Sequence, residues 1–264
     1  MAGAHGAGIE GVRTDAAAWE RMLASMRSFF ASVPEGSGGR VVHLDGVIAT
    51  VAPAVPERSL PNSVLYESEE ALADALDELR ELYDEAGILA WTVWVPEHHA
   101  RAAELLERSG HRLDAGPAAM IAHLDQVEPP RADDPEPDPR PLLDDLGRIN
   151  DLAYGTGDSF ERLIGRGPAD PASTYIARAD DEPAASVASH DHEGDCSIWW
   201  VATVPKARGR GLAPGLMRRA LGDGQSRGCE VSTLQATRLG RPVYERLGYR
   251  GIGTIEMWER RRAY

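Results

Sequence analysis

Apolar positions along this chain follow two periods. Trp19, Met22, Leu23, Met26, Phe29 and Phe30 recur at helical steps and predict an amphipathic helix. "GRVVHLDGVIATV" then predicts two short strands turning at Asp45-Gly46, a pair suited to a hairpin. Leu72, Leu76, Leu79 and Tyr83 mark the inner face of a second helix. Ser68 is placed to cap it, Glu69 and Glu70 suit the positive end of its dipole, and Gly87 can end it. "AWTVWV" predicts a strand, "HHARAAELLERSG" a helix and "AAMIAHLD" a strand.

The second half has the same style. Leu142, Leu146, Ile149 and Leu152 predict a helix ending near Gly155, and "SFERLIG" a shorter one. "STYIARA", "PAASVASH" and "CSIWWVATV" predict strands, followed by a glycine-rich stretch at 204–221. "VSTLQA", "RPVYERLG" and "IGTIEMW" predict strand, helix and strand. "LLERSGH" at 105–111 echoes "VYERLGY" at 243–249, each between a strand and another strand. The matching order of elements suggests duplication. "VEPPRADDPEPDPRP" holds six prolines and predicts an extended, semi-rigid linker over 127–141. The expected division is therefore 1–126, linker 127–141, and 142–264.

Composition narrows the classes. The chain has 264 residues, 42% of them hydrophobic, enough for a real core. Its net charge of −14 argues against general nucleic-acid binding, so no nucleic-acid partner is expected. Cys196 and Cys229 do not make a disulfide framework and fit a reducing compartment. No run approaches a membrane span, so no membrane partner and a cytoplasmic location are expected.

Against that acidity stands "VPKARGRGLAPGLMRRAL" (204–221), which places three glycines among five cationic side chains. A Walker loop is absent, and Pro214 occupies the third glycine position of a dinucleotide fingerprint. Arg208-Gly209-Arg210-Gly211-Leu212-Ala213 satisfies the pattern [RQ]-x-x-G-x-[GA] only. Glycines let an anion approach the backbone, and Leu212, Leu216, Met217, Ala220 and Leu221 start a helix whose first N–H groups lack partners. A tight strand-to-helix turn with solvated arginines is the alternative reading.

With "VATVPKARGRGLAPGLMRRAL" followed by "LQATRLGRPVYERLGY", the sequence resembles the GNAT superfamily of acyl-CoA-dependent N-acetyltransferases over about residues 141–264. The resemblance implies a mixed α/β (α+β) fold, and two GNAT-like domains if the first half is a degenerate copy rather than an unrelated α/β domain. Each domain would be a twisted mixed sheet flanked by helices. It implies acetyl-CoA as co-substrate and an amine of a small molecule or protein as acceptor. Arg208, Gly209, Arg210, Gly211, Leu212 and Ala213 would hold the pyrophosphate. Val201, Ala202 and Thr203 would lie along the pantetheine arm through their backbone, and Tyr244 would be the general acid. Thr203 stands where the family usually has Val, and Gly240-Arg241 where Asn is frequent.

The base is open. His190, His192 and Glu193 are candidates within "SHDHEGDCS", a stretch that also reads as a solvated turn. No metal site is expected, because no second ligand cluster accompanies these residues. Trp199 and Trp200 are expected on opposite faces of a strand, either one lining a pocket and one in the core or both in a core or interface. The loop from Tyr154 to Phe160 is a second candidate wall. The sequence allows a homodimer. A non-catalytic acyl-CoA sensor is the competing function.

Overall fold

The computed structural model describes residues 5–32, 39–170 and 172–262. In the first half, α1 (His5–Ser32) leads into β1 (Arg40–Leu44), β2 (Val47–Val51) and β3 (Ser63–Tyr66). Then come α2 (Glu69–Glu85), β4 (Ala90–Pro96), α3 (Ala100–Arg108), β5 (Arg112–Ala115) and β6 (Ala118–His123). The second half holds α4 (Leu143–Tyr154), α5 (Ser159–Ile164), β7 (Thr174–Ala179), β8 (Glu182–His192) and β9 (Asp195–Thr203). It ends with α6 (Leu212–Ser226), β10 (Val231–Ala236), α7 (Arg241–Arg246) and β11 (Arg250–Arg261).

The eleven strands form one mixed sheet in the order β1-β2-β3-β4-β11-β6-β10-β9-β8-β7, with β5 also on β11. Each half contributes three antiparallel strands and then, after a helix, a strand parallel to the third. The last strands are exchanged. β6 pairs with β10 and β11, while β11 pairs with β4 and β5. The order therefore reads the same from either edge, half against half. A separate sheet for each half was expected, and a single shared sheet is found. Hydrogen bonding between strands far apart in the chain joins the halves, and periodicity carries no record of it.

Side-chain alternation sorts two helical layers. Trp91, Val93 and Val95 of β4 pack with Leu72, Leu79 and Leu106 of α2 and α3, whereas Trp94 faces Met26 and Phe30 of α1. Cys196 and Ile198 of β9 pack with Leu216, Met217 and Tyr244 of α6 and α7. Leu146, Ile149 and Ile164 of α4 and α5 cover Ile176, Ala184 and Ala202. So α1, α4 and α5 lie on one face, and α2, α3, α6 and α7 on the other. α1 spans the junction, touching Ile48 and Leu65 of the first half and Ala188 and Trp199 of the second. Each such large side chain removed from water contributes roughly 1.5–3 kcal/mol.

Local signals act as the sequence suggests. Ser68 accepts from Ala71 N at 3.1 Å and caps α2. The repeated "ERxG" forms the same helix end twice. Gly110 and Gly248 are left-handed at φ +86 and +97, and His111 and Tyr249 donate back to Leu106 and Tyr244 at 2.9 and 3.1 Å. Residues 127–141 do not stand free as a linker. Asp134 forms a buried ion pair with Arg218 of α6, and Arg219 Nε donates to Pro135 O at 2.9 Å. A Cβ on Gly215 would come within 2.4 Å of Pro135 Cδ, so the strap and α6 touch at backbone distance.

Candidate active site

The site begins with a defect in β9. Ala188 pairs with Trp199 and Ser186 with Ala202, leaving Trp200 and Val201 opposite Val187 alone. This is a β-bulge, and Trp200 sits at φ +50, a left-handed conformation rare for an aromatic residue. Its carbonyls are held: Ser186 Oγ donates to Trp200 O at 3.0 Å, and Tyr154 Oη to Val201 O at 2.8 Å. Asn150 Nδ2 donates to Ser186 Oγ at 3.2 Å, tying the bulge to α4. The bulge overturns the expectation for the two tryptophans. The extra residue breaks the alternation, so Trp199 and Trp200 line the same cavity.

Beyond the bulge, β9 and β10 diverge. Their register holds only Val231 opposite Asp195, at the start of both strands. At the open end, Val204 leads through a single turn to Arg208 and then α6. Gly209 and Gly211 are left-handed at φ +79 and +75, with nothing within 4 Å of a Cβ, so conformation rather than crowding demands glycine there. Among the described residues, none accepts from the N–H groups of Gly209, Arg210, Gly211, Leu212 or Ala213. Pro214 has no N–H to leave open. These consecutive donors, at the positive end of a long helix, suit a diphosphate. The arginines serve elsewhere. Arg208 donates to Thr203 O at 3.3 Å and Ala153 O at 3.1 Å, bracing β9 against α4. Arg210 pairs with Asp180 at 3.0 Å. Val201 and Thr203 are half-buried and Ala202 is buried.

Across the gap, Pro242 opens α7 and Tyr244 lies buried on it. A Cβ on Gly240 would stand 3.0 Å from Tyr244 Cε2, so glycine there leaves room for the ring. Burial, with the nearby Tyr154, raises the Tyr244 phenol above its ordinary range and keeps it protonated.

On the α1/α4 face of the gap lies a cavity of about 360 Å³. Phe29 stacks on Trp199 at 3.9 Å to form one wall. Tyr154, Thr156, Phe160 and Leu163 form another, and Gln235 of β10 with Thr237 just after it a third. Asp151 holds the second wall by accepting from Phe160 N and Glu161 N, each at 3.0 Å. The Tyr154–Phe160 expectation thus meets a wall. Phe29 and Gln235 escaped sequence reasoning: the paired phenylalanines closing α1 were the only signal for the first, and nothing marks the second.

The three base candidates are not gathered here. His192 and Glu193 sit at the β8–β9 turn, at the far end of β9 and on the order of 20 Å along the strand from Val201. His190 packs on Phe29, its Nε2 2.9 Å from Ser28 Oγ, and burial lowers its pKa. Beside that turn Asp195 is fully buried, accepting from Thr233 N and Oγ1 at 2.9 and 2.6 Å. Burial pushes its carboxyl up to about 7 despite these bonds. No group of three potential metal ligands occurs among the described residues. No described helix is long and apolar enough to cross a membrane.

Comparison with known proteins gives a family match over the second half and a shared fold. The sequence model of the Acetyltransferase (GNAT) family matches residues 132–249. A GCN5-related N-acetyltransferase from Kribbella flavida shares the fold with a TM-score of 0.61 at 16% identity, over 88% of this chain and 94% of that one. Another from Sphaerobacter thermophilus gives 0.53 at 19% identity, over 92% and 94%. A GNAT-family acetyltransferase from Novosphingobium aromaticivorans gives 0.53 at 18%, over 91% and 97%. The likeness of fold therefore runs through both halves. No curated protein matches the sequence.

Proposed function

Starting from the GNAT acetyltransferase domain at residues 132–249, we propose that this protein transfers an acetyl group from acetyl-CoA to an amine. The observation that carries the reading is the row of open N–H groups from Gly209 to Ala213, opposite the buried Tyr244 across the β9–β10 gap. Acetyl-CoA would supply the thioester, and coenzyme A would leave as the free thiol. Gly209 to Ala213 bind its diphosphate through the main chain, and Val201 to Thr203 lie along its arm. The amine nitrogen bonds to the acyl carbon as the carbon–sulfur bond breaks. Tyr244 gives its proton to the leaving sulfur and regains one from the nitrogen. Its raised pKa keeps the phenol protonated at neutral pH, and the proton lost to sulfur is replaced from the nitrogen in the same step, so no buried phenolate is left. No side-chain base is assigned. An amine with a lysine-like pKa costs about 4–5 kcal/mol to deprotonate at pH 7, and a site without charged groups favours the neutral form. The first half is read as a degenerate copy that completes the sheet.

Calorimetry with coenzyme A and acetyl-CoA tests the reading. Micromolar affinity and release of free thiol in the presence of an amine are expected. Absence of any affinity in folded protein would overturn it.

A further inference from the structure

We infer that the acceptor is a compact aromatic amine, taken up in the cavity on the α1/α4 face; the inference rests on the acetyl-transfer reading above. Two features assign the cavity to the acceptor rather than the donor. The diphosphate donors begin α6, which covers the opposite face of the sheet, so the two substrates approach the β9–β10 gap from opposite sides. The cavity also reaches the reacting end of that gap. Trp200 in its wall directly precedes Val201, and Tyr154 bonds Val201 O.

The lining defines the class. It includes no Asp, Glu, Lys, Arg or His. A polyamine, amino acid or amino sugar would lose hydration there without charged partners or a full set of hydrogen bonds. Phe29, Trp199, Trp200, Tyr154 and Phe160 instead offer ring faces from two directions. The volume of about 360 Å³ lies at the small end of ligand sites. An apolar site also disfavours the ammonium form, so the nucleophile arrives neutral without a dedicated base. One polar group remains. Gln235 Nε2 is buried in the wall with no hydrogen-bond partner. It sits on the same sheet face as its cross-strand partner Ala119, which packs with α1. A side-chain amide left without partners in this wall suits a ring hydroxyl on the ligand, which can donate to Gln235 Oε1 or, with the amide turned over, accept from its nitrogen.

Steady-state acetylation by the full chain, with acetyl-CoA at pH 8.5, tests this. The amines are tyramine, 2-phenylethylamine, spermidine and glucosamine. Expected kcat/KM values for the two aromatic amines exceed those of spermidine and glucosamine at least 50-fold. Tyramine should surpass 2-phenylethylamine about tenfold through KM, and Gln235→Leu should erase that margin. Phe160→Asp should reverse the preference toward spermidine. Tryptophan fluorescence, read with coenzyme A present, should report saturable tyramine binding independent of turnover. Coenzyme A affinity with no tyramine binding, or with equal turnover of spermidine, overturns the aromatic acceptor and leaves acetyl transfer standing. Octanoyl-CoA binding tenfold tighter than acetyl-CoA, with the gain lost in Phe160→Trp, makes the cavity an acyl channel and overturns it too. No affinity for coenzyme A overturns the acetyl-transfer reading itself.

Discussion

The helices α2 and α6 hold matching places in the two halves, each following the third strand of its half, and their N-termini are built for opposite ends. At α2, Ser68 fills the cap, and Glu69 and Glu70 occupy the first turn. Glu69 Oε1 reaches across to accept from Ala102 N at 2.9 Å, closing the start of α3 as well. At α6 the cap is the left-handed Gly211, no acid stands in the first turn, and five N–H groups stay open. The strands before them differ likewise. β2 and β3 pair in unbroken register, while β8 and β9 are broken by the Trp200 bulge. The contrast continues in the repeated helix ends: Leu106 is wholly buried in the first-half core where the second half buries a phenol, Tyr244. One supersecondary frame thus gives a satisfied, self-capped helix start in one half and a start with open N–H groups in the other. The difference rests on a handful of side chains.

Replacing the tyrosine that distinguishes the second copy has the largest expected effect. Tyr244→Phe should lower kcat about 10²–10⁴-fold with little change in coenzyme A affinity, measured by thiol release and calorimetry. If kcat holds, the two helix ends differ only in packing. Next, Ala213→Glu gives α6 the acid that Glu70 supplies to α2. A carboxylate beside the open N–H groups should weaken coenzyme A binding about 100-fold by calorimetry, with the fold intact by circular dichroism. Unchanged affinity would place the diphosphate elsewhere.

The closed ends of the two parallel strand pairs differ in charge. In the first half Ser63 and Thr92 meet there, whereas Asp195 is buried in the second. Its folded pKa of about 7 lies above the unfolded carboxylate value, so the folded state binds more protons between about pH 4 and 7. Stability from this group is therefore present in acid and lost as pH rises through that window. Asp195→Asn should gain on the parent as pH rises from 5 to 8, by about 2.5 kcal/mol as an upper bound in denaturant unfolding. A pH-independent difference would refute the buried ionisation. Gly215→Ala should cost roughly 1–3 kcal/mol in the same assay, because its Cβ meets the Pro135 strap. Ser68→Ala has the smallest effect, about 1 kcal/mol through the lost α2 cap, with coenzyme A affinity untouched.

Much of the frame is legible in the order of residues alone. The Asp45-Gly46 turn, the Ser68 cap, the Gly155 stop and the cationic glycine stretch depend on residues within a turn of one another. Two strands leave no such signal. β3 is a four-residue buried run, too short to show a period, and β5 is a mostly exposed piece paired only with β11. Arg208 and Arg210 read as phosphate ligands by charge, but the carbonyls and the Asp180 carboxylate that take them are supplied by other elements.

The sequence by itself determined the helix caps, the turns, the two periods and the glycine stretch at α6, because these arise from steric and hydrogen-bonding preferences of near neighbours. Only the tertiary structure decided that β6 and β11 change places, that Trp199 and Trp200 share one wall, and that Phe29 meets Gln235 across a single cavity. Those outcomes follow from pairing and packing between residues up to the length of the chain apart, where a bulge of one residue redirects every side chain after it.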